Sequence, residues 1–239
     1  MGIIRALVAC EYSGRVRSAL RARGVDAWSC DLLPAEDDDQ FHFQCDVKEL
    51  LAGTPVLTPG GIRYTWGWDL LIAHPPCTYL ANSGAKHLYI GMKKENGLCP
   101  ERVAKMEAAA DFYVALWRAP VKRVAIENPI MHRMARERIQ RLAPDHPVKR
   151  QFIQPWWFGH REVKATGLAL RGLPPLSKTR DVYAETMALT YAQRAKVHYA
   201  SPGPNRWKDR SRTLPGVAEA MAAAWARIDE EALIGREAA

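Results

Sequence analysis

The sequence lacks any long apolar segment. None of its 239 residues fall in a run of eighteen or more apolar residues, and it starts with MGIIRALVACEYSG, which has neither the basic start nor the long apolar centre of a signal peptide. We therefore expect a soluble, cytoplasmic protein that does not associate with a membrane. Because 48% of the residues are hydrophobic, the chain can fill the core of one domain, and disorder is not expected.

Closely spaced cysteines are also missing. The five cysteines never occur as CxxC, which argues against a zinc knuckle, and their odd number in a chain without an export signal argues against a disulfide framework. Cys10, Cys30 and Cys45 each lie near the end of a predicted strand, so a site of three thiolates is conceivable. Buried free cysteine commonly packs as a small apolar side chain, and we predict no metal site.

Acidic residues are too few to balance the basic ones. The chain has 34 Lys and Arg against 26 Asp and Glu, a net charge of +8. Residues 156–214 hold eleven basic and four acidic residues, which is +7 of this excess. A polyanion is the simplest partner for such a stretch, although an ordinary solvated basic surface would have the same composition.

Apolar runs rich in Val and Ile alternate with helical patterns along the chain. The predicted strands are GIIRALVAC, VDAWSCD, FHFQCDV, WDLLIAH and VKRVAIENP. The predicted helices are GRVRSALRARG, KELLAG and CPERVAKMEAAADFYVALWRAP, and residues 53–65 are a turn-rich connection. This alternation predicts an α/β fold, with a mostly parallel twisted sheet and helices on both faces.

Chemically active side chains follow four of the predicted strands. Asp31, Asp46, the segment 74–77 and Glu127 each stand where a strand ends. In open sheets of this kind, ligands bind at the carboxyl ends of the strands. One shared site is therefore favoured over separate roles as helix caps, a core thiol and a surface charge.

The same strand ends resemble motifs of the DNA cytosine-5 methyltransferases, above all the compact members found in bacteria and phages. HPPCTYLANSG is similar to the family's proline-cysteine loop, and VAIENP to its glutamate-asparagine motif. ACEYSG stands in the place of the cofactor-binding glycine turn, FGHREVK resembles the arginine-bearing strand motif, and RSRTLPGVAEAMAAAW resembles the final helix motif, which returns to the cofactor. The resemblance implies a Rossmann-like S-adenosylmethionine-dependent methyltransferase fold.

The resemblance also implies the residues of the site and S-adenosylmethionine as the cofactor. The implied catalytic residues are Cys77, Glu127, Arg161 and Lys164. The implied cofactor-binding residues are Glu11, Tyr12, Ser13, Gly14, Asp31, Asp46 and Pro75. This chain departs from the family at His74, which replaces a small residue, and at Lys164, which stands in for a second arginine one position out of register.

Methylation of carbon 5 explains why a thiol and a carboxyl group are needed together. Carbon 5 of cytosine is a poor nucleophile, so the Cys77 thiolate must first add to carbon 6, and a basic neighbour such as Arg161, Lys164 or His74 would favour the thiolate. Glu127, at least partly protonated in a water-poor pocket, would then donate to ring nitrogen 3 and hold the exocyclic amine. The two prolines before Cys77 limit backbone freedom around the nucleophile.

Residues 172–205 predict a reduced target-recognition region, set between catalytic segments 1–171 and 206–239. Larger relatives insert a whole domain here, so recognition by this chain should be short or loose. We expect a monomer that binds duplex DNA with the target cytosine flipped out. The expected DNA contacts are Lys86, Asn128, Arg180, Arg194, Lys196, Arg206, Lys208 and Arg210. The loop TYLANSGAKHLYIGMKKENG resembles the family segment that closes over DNA.

Other activities stay open on the sequence alone. A different one-carbon donor, an RNA substrate, or a DNA-binding module without catalysis would share the basic stretch. Tyr79 keeps open methylation of an exocyclic amine, because enzymes of that kind carry an aromatic residue after Pro-Pro. A Cys-His hydrolase would need a histidine beside Cys77, and the candidates are His74, His87, His132 and His160.

Overall fold

A computed structural model gives the structure of most of the chain. It describes residues 4–37, 39–53, 56–57, 61, 63–64, 67–147, 150–199, 203, 208 and 211–227. Two of the expected DNA contacts, Arg206 and Arg210, lie outside the described residues.

Seven strands form one sheet. They are β1 (Arg5–Ala9), β2 (Asp26–Asp31), β3 (His42–Gln44), β6 (Leu70–Ala73), β7 (Arg123–Pro129), β8 (Gln151–Ile153) and β9 (Thr166–Arg171), arranged as β3-β2-β1-β6-β7-β9-β8. The five strands from β3 to β7 in this order pair in parallel, whereas β9 is antiparallel to both of its neighbours. In the connection 53–65, β4 (Val56–Leu57) and β5 (Arg63–Tyr64) form a separate hairpin.

Eight α-helices with defined bounds accompany the sheet in the described part of the chain, in addition to five short 3-10 helices. They are α1 (Arg15–Arg21), α2 (Val47–Leu51), α3 (Pro100–Trp117), α4 (Arg133–Leu142), α5 (Tyr183–Met187), α6 (Tyr191–Arg194), α7 (Lys196–Tyr199) and α8 (Pro215–Trp225). Proline at the first position of α3 and of α8 suits a helix start, because its missing N–H would have no helical partner there. No helix among the described residues is both long enough and apolar enough to cross a bilayer.

The two faces of the sheet bury separate cores. Leu7, Leu71 and Ile126 point to the core that contains Tyr113 of α3. Val8, Ile72 and Ala125 belong to the opposite core, with Leu20 of α1 and Met221 and Trp225 of α8. Because side chains alternate along a strand, helices cover both faces, and the predicted Rossmann-like architecture is confirmed. The same alternation assigns Glu127 to the α1 and α8 face, and Asn128 to the α3 face.

The resemblance of FGHREVK to a strand motif is not matched by a strand in this structure. Residues 158–164 are irregular, and β9 begins only at Thr166. Gly159 has φ of 83°, and the Glu162 N–H donates to the His160 carbonyl 2.7 Å away. This tight turn keeps the segment from adopting the extended backbone that a sheet ladder requires.

Candidate active site

The ends of β6 and β7 bring a histidine and a glutamate together. Ala73 pairs with Ile126 in the register of the two strands, so the residues that follow, His74 and Glu127, are neighbours. The Nδ1 atom of His74 lies 2.6 Å from Oε2 of Glu127, and the two side chains are 10% and 18% exposed. The predicted carboxyl group therefore has a buried partner within the rim itself.

Cys77 lies on the outside of the same rim. Pro75 is buried, whereas Pro76 and Cys77 are exposed. The Cys77 carbonyl accepts hydrogen bonds from the N–H groups of Leu80 and Ala81, at 3.0 and 2.9 Å, so the chain turns immediately after the thiol. A large substrate can therefore approach the sulfur.

The turn that carries Cys77 is tied to the chain that follows β7. The Asn82 N–H donates to the Ile130 carbonyl at 2.7 Å, and the His132 N–H donates to the Leu80 carbonyl at 3.0 Å. The ring of His132 accepts from the Ala135 N–H through Nδ1 and donates through Nε2 to the Tyr79 carbonyl, 2.9 Å away. Both ring nitrogens are thus engaged in holding backbone.

Electrostatics place the proton of the buried pair on His74. Burial lowers the pKa of His74, but the hydrogen bond and charge of Glu127, together with the charge of Glu11, outweigh it and raise this pKa above the ordinary 6.5. Burial raises the pKa of Glu127, but the hydrogen bond and charge of His74, with the charge of Lys164, lower it below the ordinary 4.5. The expectation that Glu127 is partly protonated is therefore wrong for the protein without substrate.

A small cavity adjoins the Glu127 carboxyl group. Its volume is about 30 Å³, enough for a water molecule. Lys164, Arg212 and Thr213 are among the residues that line it. Of the two basic residues predicted for catalysis, half-buried Lys164 thus lies beside the carboxylate, whereas Arg161 is exposed. Arg212 and Thr213 were not predicted as site residues, because only the fold brings them to β7.

The turn between β1 and α1 contains an internal carboxylate. Glu11 is buried, and its two oxygens accept from the N–H groups of Val16 and Arg17 at 2.7 and 3.2 Å. This carboxylate therefore satisfies the amino end of α1. Gly14 has φ of 65°, and a Cβ atom there would collide with the ion pair between Arg17 and Asp37.

The segment that precedes α8 packs on this turn. The Tyr12 hydroxyl donates to the Lys208 carbonyl at 2.8 Å, and Arg15 donates to the Thr213 carbonyl at 2.9 Å. Ser13 is buried beside them in the chain. The Tyr12 hydroxyl also lies 3.3 Å from Oγ of Ser211, so the two motifs that resemble cofactor-binding segments, ACEYSG and RSRTLPG, are in contact although they are nearly 200 residues apart.

Asp31 and Asp46 both lie near enough to Cys10 for their charges to act on its thiol, as their positions at neighbouring strand ends predict. Burial, and then the charges of Asp31 and Asp46, raise the pKa of the Cys10 thiol to about 12. Each carboxylate also holds backbone: Asp31 accepts from the Leu33 N–H at 3.0 Å, and Asp46 caps α2 by accepting from the Lys48 N–H at 3.0 Å.

The three cysteines near the strand ends form no metal site. The sulfurs of Cys30 and Cys45 are 3.8 Å apart, but no group of three or more His, Cys, Asp or Glu side chains suited to a metal ion occurs in the described residues. Cys10 has φ of 58°, a left-handed conformation that is uncommon for a residue with a side chain.

The Glu11 carboxylate at the amino end of α1 bears on which class of cofactor the turn after β1 can hold. In dinucleotide-binding folds the pyrophosphate lies at the amino end of the first helix. Here the Glu11 carboxylate occupies that end and would repel a phosphate. S-adenosylmethionine has no phosphate and carries a positive sulfonium, so the residues present fit it better than a dinucleotide. Asp31 offers a carboxylate at the second strand, the type of group that accepts from ribose hydroxyls.

The predicted DNA contacts divide into exposed and engaged side chains. Lys86 and Arg180 are exposed. Lys196 is also exposed, with its Nζ 3.4 Å from Oε1 of Glu162. Arg194 donates to the carbonyls of Met187 and Leu189, so its guanidinium already holds the preceding turn.

Two further predicted contacts have other surroundings. Asn128 is 1% exposed within β7, so the expectation that it contacts DNA directly is not met in this structure. Neither of its amide atoms has a hydrogen-bond partner among the described residues. Lys208 is half-buried, and its carbonyl accepts from Tyr12.

The described part of the predicted recognition region begins with an irregular segment and continues into three short helices, α5, α6 and α7. The Val182 N–H donates to the Trp156 carbonyl at 2.9 Å, and the rings of Trp156 and Tyr183 are 4.9 Å apart, which fixes α5 to the body of the fold. Tyr183, Tyr191 and Tyr199 are 51%, 57% and 60% exposed. The boundaries 172 and 205 stay a prediction.

Comparison with known proteins gives structural neighbours only, because no family model and no curated protein matches the chain. One neighbour is an E. coli prophage protein assigned as a DNA modification methyltransferase, with 11% identity over 70% of this chain and 46% of that chain, and a TM-score of 0.42. Another is the Entamoeba histolytica methyltransferase EhMeth (12% identity, 76% and 58% of the two chains, TM-score 0.43). A third is the S. pombe Dnmt2 methyltransferase (12%, 87% and 62%, TM-score 0.40). This chain therefore spans between 46% and 62% of the length of these three neighbours.

Proposed function

We propose that this protein transfers a methyl group from S-adenosylmethionine to carbon 5 of cytosine in DNA, through a covalent bond between Cys77 and carbon 6. The observation that carries the proposal is the rim of β6 and β7, where the exposed thiol of Cys77 stands three residues after His74, which forms a largely buried pair with Glu127. A nucleophile that a large substrate can reach and a carboxylate that is shielded from water are the two groups that this reaction needs.

The protein's own residues would act in sequence on the flipped base. The Cys77 thiolate adds to carbon 6, which makes carbon 5 nucleophilic. Glu127 holds the exocyclic amine and hydrogen-bonds to ring nitrogen 3, so a thymine, which has no such amine, is rejected. After methylation, loss of the carbon 5 proton to a base releases Cys77.

The cofactor supplies an electrophilic methyl group when it is bound. Tyr12, Ser13 and Gly14 form the turn beside which it would lie, and Pro75 follows the end of β6 by two residues. Asp31 and Asp46 would accept from its ribose and adenine. Glu11 stabilises the turn from inside rather than touching the cofactor, because both of its oxygens are engaged by α1.

DNA would be held mainly through its phosphates. A thiol cannot reach a stacked base, so the cytosine must leave the helix. The exposed side chains of Lys86, Arg180 and Lys196 are suited to phosphate contacts, which position the duplex without reading sequence.

A Cys-His hydrolase is disfavoured by the hydrogen bonds that two of the candidate histidines make. Such an enzyme needs an imidazole that takes the proton of the thiol. His74 is instead hydrogen-bonded to Glu127, and both ring nitrogens of His132 hold backbone. A binding module without catalysis remains as an outcome of the experiment.

The proposal is tested by incubating the protein with duplex DNA and tritiated S-adenosylmethionine, followed by digestion and nucleoside mass spectrometry. We expect label on carbon 5 of cytosine, its loss in Cys77→Ser, and its retention in Cys99→Ser, a cysteine that precedes α3. Label on adenine or on the cytosine amine would overturn the chemistry. Binding of DNA without any transfer would favour the binding module, and label in RNA alone would change the substrate.

A further inference from the structure

His74 is more than a neighbour of the nucleophile, because charged groups from three elements act on its ring. Glu127 of β7 is in direct contact with it, and the charges of Glu11, in the turn after β1, and of Lys164, in the segment before β9, also shift its pKa. Two carboxylates and one ammonium therefore act on one imidazole whose side chain is 10% exposed. Its Nε2 atom is buried with no hydrogen-bond partner among the described residues.

This arrangement separates two tasks that the sequence assigns to a single residue. Glu127 is suited to grip the base, but it is ionised in the free protein and has no proton to give to ring nitrogen 3. His74 holds a proton on Nδ1, directed at Glu127 Oε2. The proton on His74 Nδ1 can therefore pass directly along this hydrogen bond to Glu127.

We infer that His74 is a positioning residue and proton reserve for Glu127: its buried Nδ1, 2.6 Å from Oε2, fixes the carboxylate and passes a proton to it when the base is attacked. This inference rests on the proposed function. Lys164, which also lines the cavity, adds positive charge near the pair and helps to lower the pKa of Glu127.

The proton balance is simple. The Nδ1–H bond of the imidazolium breaks and an O–H bond forms on Glu127, which leaves two neutral groups. As the bond between the Cys77 sulfur and carbon 6 forms, the electron pair that leaves the ring double bond is taken up by protonation of nitrogen 3. The O–H bond of Glu127 breaks in that step, and the carboxylate is restored beside a neutral His74, which regains a proton from solvent.

Replacing the histidine should change the pH profile and not only the rate. In His74→Gln, Glu127 keeps its buried surroundings but loses the cation, so burial raises the pKa of its carboxyl group. Glu127 would then have to supply its own proton, and the optimum for transfer should move to lower pH. We expect kcat at neutral pH to fall by roughly tenfold to a hundredfold, within the range for general acid catalysis, with little change in the Kd of S-adenosylmethionine.

The dyad itself can be tested without any assay of methylation. In ¹⁵N-histidine NMR of the whole chain, we expect one histidine to titrate above pH 6.5, to vanish in His74→Gln, and to titrate below pH 6.5 in Glu127→Gln. The Glu127→Gln variant keeps the test available if His74→Gln does not fold. An unchanged His74 titration in Glu127→Gln would overturn the inference.

Transfer kinetics then test the catalytic part. A displaced optimum in His74→Gln supports a proton reserve, whereas an equal loss of kcat at every pH contradicts it and leaves a purely structural role. Glu137→Gln, in an exposed ion pair on α4, is the matched control and should leave the profile unchanged. If no variant and no wild-type protein transfers methyl groups while the NMR titration behaves as expected, the proposed function fails and the buried dyad stands.

Discussion

The carboxyl ends of the strands form two regions that differ in how far their polar groups are hydrogen-bonded within the protein. In the closed rim, defined by Cys10, Glu11, Asp31 and Asp46 after β1, β2 and β3, carboxylate oxygens accept from nearby backbone N–H groups. In the open rim, defined by His74, Cys77 and Glu127 at the ends of β6 and β7, the thiol is exposed, and the buried Nε2 of His74 has no hydrogen-bond partner in the part of the chain that the structure describes.

The difference shows which rim is built for stability and which for chemistry. Satisfied buried groups fix the backbone, and an unsatisfied buried donor costs free energy that folding alone does not recover. The closed rim therefore shapes a turn, whereas the open rim retains groups that a substrate can still engage. Variants of Glu11 and of the turn that it stabilises should mainly change stability, and variants in the open rim should mainly change activity.

The largest effect is expected for the thiol of the open rim. Cys77→Ser should lower methyl transfer by more than about a thousandfold, because serine is a far weaker nucleophile at neutral pH. Since Cys77 is exposed, the free energy of unfolding should change by less than about 0.5 kcal/mol. Transfer assays and urea unfolding check the two halves. Equal loss of stability and activity would remove the contrast between the rims.

The closed rim is probed by glycine substitution. Gly14→Ala should lower the free energy of unfolding by about 2–4 kcal/mol, because left-handed backbone and a collision with the Arg17–Asp37 pair act together. Gly24→Ala is the control: φ is 80° there, but a Cβ atom meets nothing within 4 Å, so only about 1 kcal/mol is expected. Urea unfolding of both variants decides, and equal losses would show that the crowding at Gly14 is unimportant.

The buried pair of the open rim should couple most strongly at mildly acidic pH. The raised pKa of His74 contributes stability that is complete below 6.5 and is lost as pH rises through the folded value. The lowered pKa of Glu127 contributes stability that is present above 4.5 and is lost as pH falls through the folded value. A double-mutant cycle with His74→Gln and Glu127→Gln should give about 1–3 kcal/mol between these values. A coupling that grows steadily above pH 6.5 would contradict the assignment of the proton.

The smallest effect is expected at two arginines of the recognition region. One of them, Arg180, is exposed, whereas the guanidinium of Arg194 is hydrogen-bonded to backbone carbonyl groups. Arg180→Ala should weaken DNA binding at all sequences and lower the slope of affinity against salt by about 1, with unchanged stability. Arg194→Ala should lower stability, because it removes two hydrogen bonds to carbonyl groups. Salt titrations of DNA binding and urea unfolding check both variants. If the guanidinium of Arg194 were the phosphate ligand, Arg194→Ala would lower the salt slope and Arg180→Ala would not.

Hydrophobic patterning predicted the strands and the long helix whose apolar side chains are buried in the core. β1, β2, β6, β7 and α3 lie where their apolar runs indicate, since the sequence itself specifies burial in these segments. The helix α4, and the reversal of β9 between β7 and β8, were not predicted. Gln151–Ile153 is only three residues long, and its strand conformation depends on pairing with β9.

The site was likewise predicted only in part: the positions of its residues were predicted, but not their partners. Because these residues follow predicted strands, the sequence placed Asp31, Asp46, Cys77 and Glu127 at the edge of the sheet formed by the carboxyl ends of the strands. The sequence could not show which partners these groups choose, because His74 and Glu127 are 53 residues apart and meet only through the register of β6 and β7. The unusual histidine before the two prolines was visible in the sequence, but its partner was not.

The most direct measurement of the central claim uses duplex DNA that carries 5-fluorocytosine. With fluorine at carbon 5 there is no proton to remove, so the enzyme should remain bound to the base after methyl transfer. We predict a denaturant-resistant adduct in the presence of S-adenosylmethionine, whose mass maps to the peptide that contains Cys77 and which is absent from Cys77→Ser. Transfer of methyl groups to ordinary cytosine with no adduct on the fluorinated duplex, or an adduct through another residue, would contradict the account.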